Sequence, residues 1–389
     1  MCPSDLERYD RQLRLKGWDQ RKLQASTVLV VGVGAIGCEV AKNLGLMGVG
    51  SLVLVDSDCV EVSNLSRQML FTDRDVGRPK ALVAKRRIGA MNPNVRIEAH
   101  HCRAQQSGQK TLEKADVICS CVDNWATRRW LNSLAVELRK PMVDGAMDGV
   151  YGNIQVIIPG ETACVECHGD RLIPRDVQLA ECTLKKRTPQ DLAIDLKKEG
   201  IDIDKSFAAK LYEAGFKTIY DLKYATSEHT GRLRADDARH VADLQEKLMP
   251  PMPALQSVAA IVAGVQSHEV VKLLEGDAIG RAQDGLMVYD ATNETFSPVE
   301  LERNRDCFVC GEYYGTGYLT LHVELGEKVE ELKKRIAESF GYPDPEVQFK
   351  TRILRDGEIL SEVDIKDGDL VHVHTSRRLS PLTLKLSAG

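Results

Sequence analysis

Thr27 to Gln68 reads TVLVVGVGAIGCEVAKNLGLMGVGSLVLVDSDCVEVSNLSRQ, and its first half decides the fold. Val28 to Val31 is a continuous, mostly β-branched apolar run, the pattern of a strand buried on both faces of a parallel sheet. Gly32, Gly34 and Gly37 follow at GxGxxG spacing. Val40, Leu44 and Met47 then keep a helical period up to Gly48 and Gly50, and a second apolar strand, Leu52 to Val55, ends on Asp56. This is a βαβ unit with a nucleotide fingerprint, and it predicts an α/β, Rossmann-like doubly wound sheet. Glycines there let the backbone turn tightly and approach a phosphate at a helix N-terminus, where free N–H groups and the helix dipole favour negative charge. Asp56 is spaced to accept ribose hydroxyls.

Alone, the fingerprint reads by default as a dinucleotide oxidoreductase. The residues beyond it break that default. Asp56-Ser57-Asp58 leads to Asn64-Leu65-Ser66-Arg67-Gln68 and then to Gly77-Arg78-Pro79-Lys80-Ala81 at the head of another predicted helix. No nicotinamide reaction needs those groups, whereas a nucleoside triphosphate does. Arg67 and Lys80 can neutralise phosphates, and one carboxylate can hold magnesium.

The chain has 389 residues, 43% of them hydrophobic, enough for two or three domains. A formal net charge of -5 argues against a nucleic-acid or membrane-surface footprint. Met1 to Tyr9 is polar and suggests no signal peptide, and the apolar runs read as too short to span a bilayer. Eleven cysteines without a secretory signal point to a reducing compartment, with the cytoplasm as the expected setting. Residues 5 to 24 read as one amphipathic helical arm that packs Leu6, Leu13 and Leu15 on the sheet and carries Arg8, Arg11 and Arg14 near one face. Further on, a short apolar strand ends at Val122-Asp123-Asn124, at the carboxyl edge where such sheets bind ligands. Asp123 reads equally as the N-cap of a helix from Trp125 to Arg139.

Cys164-Val165-Glu166-Cys167 and Cys307-Phe308-Val309-Cys310 are two CxxC pairs, the ligand set of a tetrahedral four-thiolate zinc site. Such a site leaves no position for water, so its expected role is structural: to pin a long crossing segment to the end of the domain. Cys182 has no metal-spaced partner and is followed by Lys185-Lys186-Arg187, cations that favour a thiolate. The residues alone leave it open between a nucleophile and an ordinary free cysteine. Cys2, Cys38, Cys59, Cys102, Cys119 and Cys121 fall in terminal, core or strand-edge settings.

Arg8-Tyr9-Asp10-Arg11-Gln12, the glycine loop, Asp56-Ser57-Asp58, the Asn64 to Gln68 and Gly77 to Ala81 segments, Val122-Asp123-Asn124 and both CxxC pairs occur in one order. That order resembles the ubiquitin-activating enzyme superfamily, which includes the bacterial adenylyltransferases of molybdopterin and thiamine synthesis. The resemblance covers about residues 6 to 182 and 253 to 311. It implies ATP bound by Gly32, Gly34, Gly37, Asp56, Asp58, Asn64, Arg67, Gln68 and Lys80. It further implies Mg2+ on Asp123, Zn2+ on the four cysteines, and Arg11 reaching into a partner subunit's ATP site, hence a homodimer. Ala254 to Leu274 resembles the family's buried helix, with a structural role expected for His268.

Cys182-Thr183 resembles the motif of the thioester-forming cysteine in ubiquitin-like activating enzymes. Tyr318 to Thr375 shows strand, helix and strands in β-grasp order, in YLTLHVEL, VEELKKRIAESF, VQFKTRIL and DLVHVHT. It resembles the ubiquitin-fold domain with which activating enzymes recruit a conjugating enzyme. The expected domains are therefore an ATP-binding adenylation domain (1–182 and 250–313), a helical insertion beside Cys182 (183–249) and a β-grasp domain (317–389). The insertion vaguely resembles a helix-hairpin-helix or sterile-alpha-motif bundle, and its acidity speaks against nucleic acid. The expected activity is adenylation of a ubiquitin-like modifier followed by a Cys182 thioester. The alternative is a sulfur-carrier adenylyltransferase, which shares every nucleotide residue.

Overall fold

The computed structural model describes residues 7–107, 109–169, 188–223, 225, 230–231, 233–248, 253–276, 279–305, 307, 309–311, 319–340, 342, 344–350, 352–375 and 378–388. The chain divides into two compact units, Met1–Asp123 with Thr127–Cys167 and Pro253–Glu312, and Asn124–Ala126 with His168–Met252 and Tyr313–Gly389.

In the first unit two short helices, α1 (Asp10–Leu13) and α2 (Gln20–Ala25), precede strand β1 (Thr27–Val31). The glycine turn leads into helix α3 (Ala35–Met47), then β2 (Ser51–Val55), helix α4 (Lys80–Met91) and β3 (Arg96–His100). A short helix α5 (Gln109–Glu113), β4 (Val117–Ser120), helix α6 (Trp125–Glu137), and strands β5 (Met142–Asp148) and β6 (Tyr151–Ile157) follow. The sheet runs β3-β2-β1-β4-β5-β6-β7-β8; β7 (Leu286–Asp290) and β8 (Thr295–Val299) come from the far end of the unit. From β3 to β5 neighbours pair in parallel, and from β5 to β8 they pair antiparallel. The apolar runs of β1 and β2 are buried for four consecutive residues, as strands covered on both faces must be.

Two expectations need correcting. The N-terminal arm is not one helix: the chain breaks at Gly17, which takes a left-handed φ of 89°, and Leu15 faces solvent while Tyr9 and Leu23 take the buried places. An apolar run of bilayer length does exist, in helix Gln256–Glu275, which by length and composition alone would qualify as a span. Half of its most apolar stretch is buried, it packs on α3, β5 and β6, and Gln266, Ser267 and Glu269 are buried along it. It is the core helix of this unit, and His268 on it is exposed.

In the second unit, helices α7 (Pro189–Lys198), α8 (Lys205–Glu213), α9 (Ile219–Lys223) and α10 (Ala235–Leu248) enclose a small core of Leu192, Leu196, Leu211, Phe216, Leu222, Val241 and Leu244. Thr188 and Asp191 form a capping box at the start of α7, and Asp204 caps α8, so short amphipathic helices begin where their sequences supply a cap. The core helix of the first unit, lying next in the chain, is α11.

The rest of this unit is a five-stranded sheet, order β11-β10-β12-β13-β9, against helix α12 (Val329–Phe340). Its strands are β9 (Leu319–Val323), β10 (Glu346–Phe349), β11 (Arg352–Ile353), β12 (Leu370–Thr375) and β13 (Arg378–Ala388). The last of these was not anticipated. It returns antiparallel along β12 and lies parallel to β9, with Leu384 and Leu386 fully buried.

Candidate nucleotide site and cysteine cluster

The glycine turn is set by backbone contact. Gly32 sits at φ 87°, and a Cβ there would lie 2.6 Å from the Cys121 carbonyl oxygen. A Cβ on Gly37 would overlap the Gly32 carbonyl, whereas one on Gly34 would meet only the Gln68 amide nitrogen, at 4.0 Å. Space is therefore closed below the turn and open above Gly34, on the side toward Gln68. Gln68 is 4% exposed, and its Oε1 has no hydrogen-bond partner among the described residues. A cradle beside a buried, unpaired amide oxygen suits a polar ligand at the N-terminus of α3.

Asp56 closes one wall. Its carboxylate accepts from the Val33 N–H at 2.6 Å and the Asp58 N–H at 2.7 Å, which ties the end of β2 to the turn. Burial raises its pKa against the opposing pull of Lys80. Lys80 opens α4, and its Nζ donates to Asp58 Oδ2 at 3.0 Å with the side chain 9% exposed. Burial alone would lower the Lys80 pKa, but Asp56, then Asp58 and Asp123, hold it above the usual value, so the ammonium stays charged. A charged, largely buried ammonium at the head of a helix is a group that can meet a phosphate.

Arg67 donates through Nη1 to the Ser63 carbonyl at 2.7 Å. Asn64 is buried and turned inward, its Oδ1 accepting from the Glu61 N–H at 3.0 Å, so it holds the turn that carries Arg67. Asp123 follows β4 as an exposed carboxylate. Arg11 stands 92% exposed on an arm anchored around it, with Tyr9 against Gly48 and hydrogen-bonded by Asn92, and Gln12 donating to the Met47 carbonyl at 2.7 Å. Cys182 lies outside the described residues.

The sequence reading missed a buried polar group behind β4. Asp144 accepts from the Ser120 hydroxyl at 2.6 Å and from Arg128 Nε at 3.0 Å, and Gln266 donates to the Ser120 and Val143 carbonyls at 3.1 and 2.8 Å. Its signal was an aspartate inside the otherwise apolar run Pro141 to Ala146, where a charge requires a partner. Cys59 is exposed just beyond Asp58, in an isolated β-bridge to Pro79.

The four cysteines of the CxxC pairs come together although 143 residues separate Cys164 from Cys307. All four are buried and their sulfurs lie within 4.8 Å of one another, with Cys164–Cys307 at 3.7 Å and Cys167–Cys310 at 3.3 Å. Tetrahedral Zn–S bonds of about 2.3 Å put sulfurs about 3.8 Å apart, so the set fits zinc. Zinc there would keep the thiolates ionised and cross-link two distant segments.

Residues 9–309 match the ThiF family. The chain belongs to the ThiF family. In addition, residues 316–378 of this ThiF-family chain match the Ubiquitin family, so it joins an activating-enzyme-like core to a ubiquitin-fold domain. It is 29% identical over 351 residues to the NEDD8-activating enzyme E1 catalytic subunit of Caenorhabditis elegans, covering 85% of this chain and 79% of that one. It is 40% identical over 171 residues to the heterocyst protein HesA of Trichormus variabilis, covering 43% of this chain and 64% of HesA. Among solved structures, Escherichia coli MccB with MccA-N7isoASN superposes with a TM-score of 0.52 at 21% identity, over 75% of this chain and 69% of MccB, a likeness of fold.

Proposed function

We propose that the chain activates a ubiquitin-like modifier. The modifier's C-terminal carboxylate attacks the α-phosphorus of ATP and pyrophosphate leaves. The nucleophile is already ionised, so no general base is required, and catalysis consists of positioning and charge neutralisation by Lys80, Arg67 and Arg11 from a second subunit of a homodimer. Asp56 would hold the ribose, and Asp123 the magnesium ion that shields the phosphates. The Cys182 thiolate then attacks the acyl carbonyl and AMP leaves, giving a thioester that passes to a conjugating enzyme recruited by the ubiquitin-fold domain.

One observation carries this reading: the ubiquitin-fold domain follows the ThiF core in a chain that aligns with 79% of a NEDD8-activating catalytic subunit. The similarity to HesA, higher in identity but confined to 171 residues of the adenylation core, fits a second reading as well, adenylation with no cysteine thioester to follow.

A non-reducing gel of the protein with Mg-ATP and a modifier ending in Gly-Gly, run beside Cys182→Ala, separates the two. The expected result is an ATP-dependent, thiol-sensitive adduct that disappears in the variant while ATP–pyrophosphate exchange persists. Exchange without any adduct on the parent chain would favour sulfur-carrier adenylation.

A further inference from the structure

Helix α6 runs between the nucleotide edge and the cysteine cluster and carries polar side chains turned inward toward both. Arg128 and Asn132 lie one turn apart and share a face, with Arg129 beside them. Toward the nucleotide edge, Arg128 Nη2 donates to the carbonyl of Val122, the residue before Asp123, at 2.7 Å. Its Nε donates to Asp144, which in turn takes the hydroxyl of Ser120 at the end of β4. Toward the cluster, Arg129 Nε donates to Glu166, and Asn132 Oδ1 accepts from the Val165 N–H at 3.0 Å. Val165 and Glu166 are the two residues between Cys164 and Cys167. Side chains of the Arg128–Asp144 pair are each 8% exposed, and those of Arg129 and Glu166 are 13% and 4% exposed.

Ion pairs this far from water are directional and intolerant of slack, because a partner that moves away leaves a desolvated charge behind. We propose that α6 is a strut through which the cysteine cluster positions the nucleotide edge. Arg129 and Asn132 are positioning residues that seat the helix on the Cys164–Cys167 knuckle, and Arg128 carries that placement to the Val122–Asp123 backbone. The cluster then governs nucleotide affinity without any of its atoms reaching the nucleotide. This inference rests on the reading of Asp123 as a nucleotide-side ligand. A staple that served only local stability would lower the unfolding midpoint and leave nucleotide binding alone.

The test compares the full chain with the double variant Arg129→Met/Glu166→Met, which removes both buried charges together and avoids stranding either one. Four quantities are measured: bound metal, Mg-ATP affinity by calorimetry, the ATP KM and kcat of pyrophosphate exchange, and amide hydrogen exchange of residues 117–123 without nucleotide. The expected result is unchanged metal content, faster amide exchange at 117–123, Mg-ATP binding weaker by about tenfold or more, and a rise in KM that exceeds the fall in kcat. Arg129→Lys, which keeps the charge, is expected to recover most of the affinity. Unchanged amide exchange and affinity in a metal-replete variant would overturn the strut. So would loss of metal, which would make the pair part of the metal site. Should the double variant not fold, Glu166→Gln, which keeps an acceptor oxygen for Arg129, is expected to move the same readouts in the same directions, and unchanged values there overturn the proposal. If the parent chain binds no Mg-ATP, the nucleotide reading fails, and amide exchange at 117–123 alone decides the strut.

Discussion

Asp75 shows how a single side chain shapes the segment that presents Lys80. It is 1% exposed and accepts from Arg86 at 2.7 Å, Arg87 at 2.9 Å and the Thr72 hydroxyl at 2.8 Å. Burial pushes its pKa up, but the Arg87 and Thr72 hydrogen bonds outweigh it and hold the carboxyl at about 2. Because the native value lies below the ordinary one, this stabilisation, about 2 kcal/mol, is complete above about pH 4 and is lost as the pH falls through about 2. Asp75→Asn should therefore cost about 2 kcal/mol in urea unfolding at pH 7, with the gap to the parent chain closing near pH 2; an equal gap at both pH values would refute the assignment. In the proposed reaction Lys80 neutralises phosphate charge. Lys80→Met leaves the buried stem in place and should lower ATP–pyrophosphate exchange by about a hundredfold or more while the protein stays folded. Exchange at the parent rate would remove Lys80 from the phosphate site. Gly37→Ala must displace the Gly32 carbonyl, and it should lose about 2 kcal/mol of stability or more, read as a lowered urea midpoint.

At the scale of elements, β13 is the piece whose removal should matter most to the ubiquitin-fold sheet, since it lies between β12 and β9 and pairs with both. Leu384→Ala should cost about 2–5 kcal/mol, measured as an early unfolding transition of the second unit. A truncation before Arg378 should abolish that transition and leave pyrophosphate exchange unchanged, and a surviving transition would show that the sheet closes without β13. The βαβ opening, α4 and the core helix were legible in sequence because each carries its own periodicity or caps. β13 has the alternation Leu382, Leu384, Leu386 as well, but it lies past Thr375, where the β-grasp order legible in sequence ends, so nothing in the pattern assigned it a partner. The single N-terminal helix failed for a local reason, the left-handed turn at Gly17.

At the scale of the whole molecule, the exposed Arg11 on its anchored arm gives the proposed homodimer a specific test. If Arg11 acts across subunits, a mixture of Arg11→Ala and Lys80→Ala chains, each inactive alone, should regain roughly a quarter of the parent exchange activity, because statistical mixing makes about half the dimers mixed, with one of their two sites intact. No recovery in subunits shown to exchange would place Arg11 in its own site or in none. Sequence by itself determined the glycine turn, the acidic and basic residues around it and the two CxxC pairs, because each is a chemical requirement written in local spacing. Only the tertiary structure decided that the two pairs converge, that Asn64 faces inward while Gln68 keeps a buried oxygen unpaired among the described residues, and that Arg128 and Arg129 of α6 meet Asp144 and Glu166 on either side of it. Those contacts join residues far apart in the chain, and burial, which makes a charge demand its partner, is a property of the fold and has no period in the sequence.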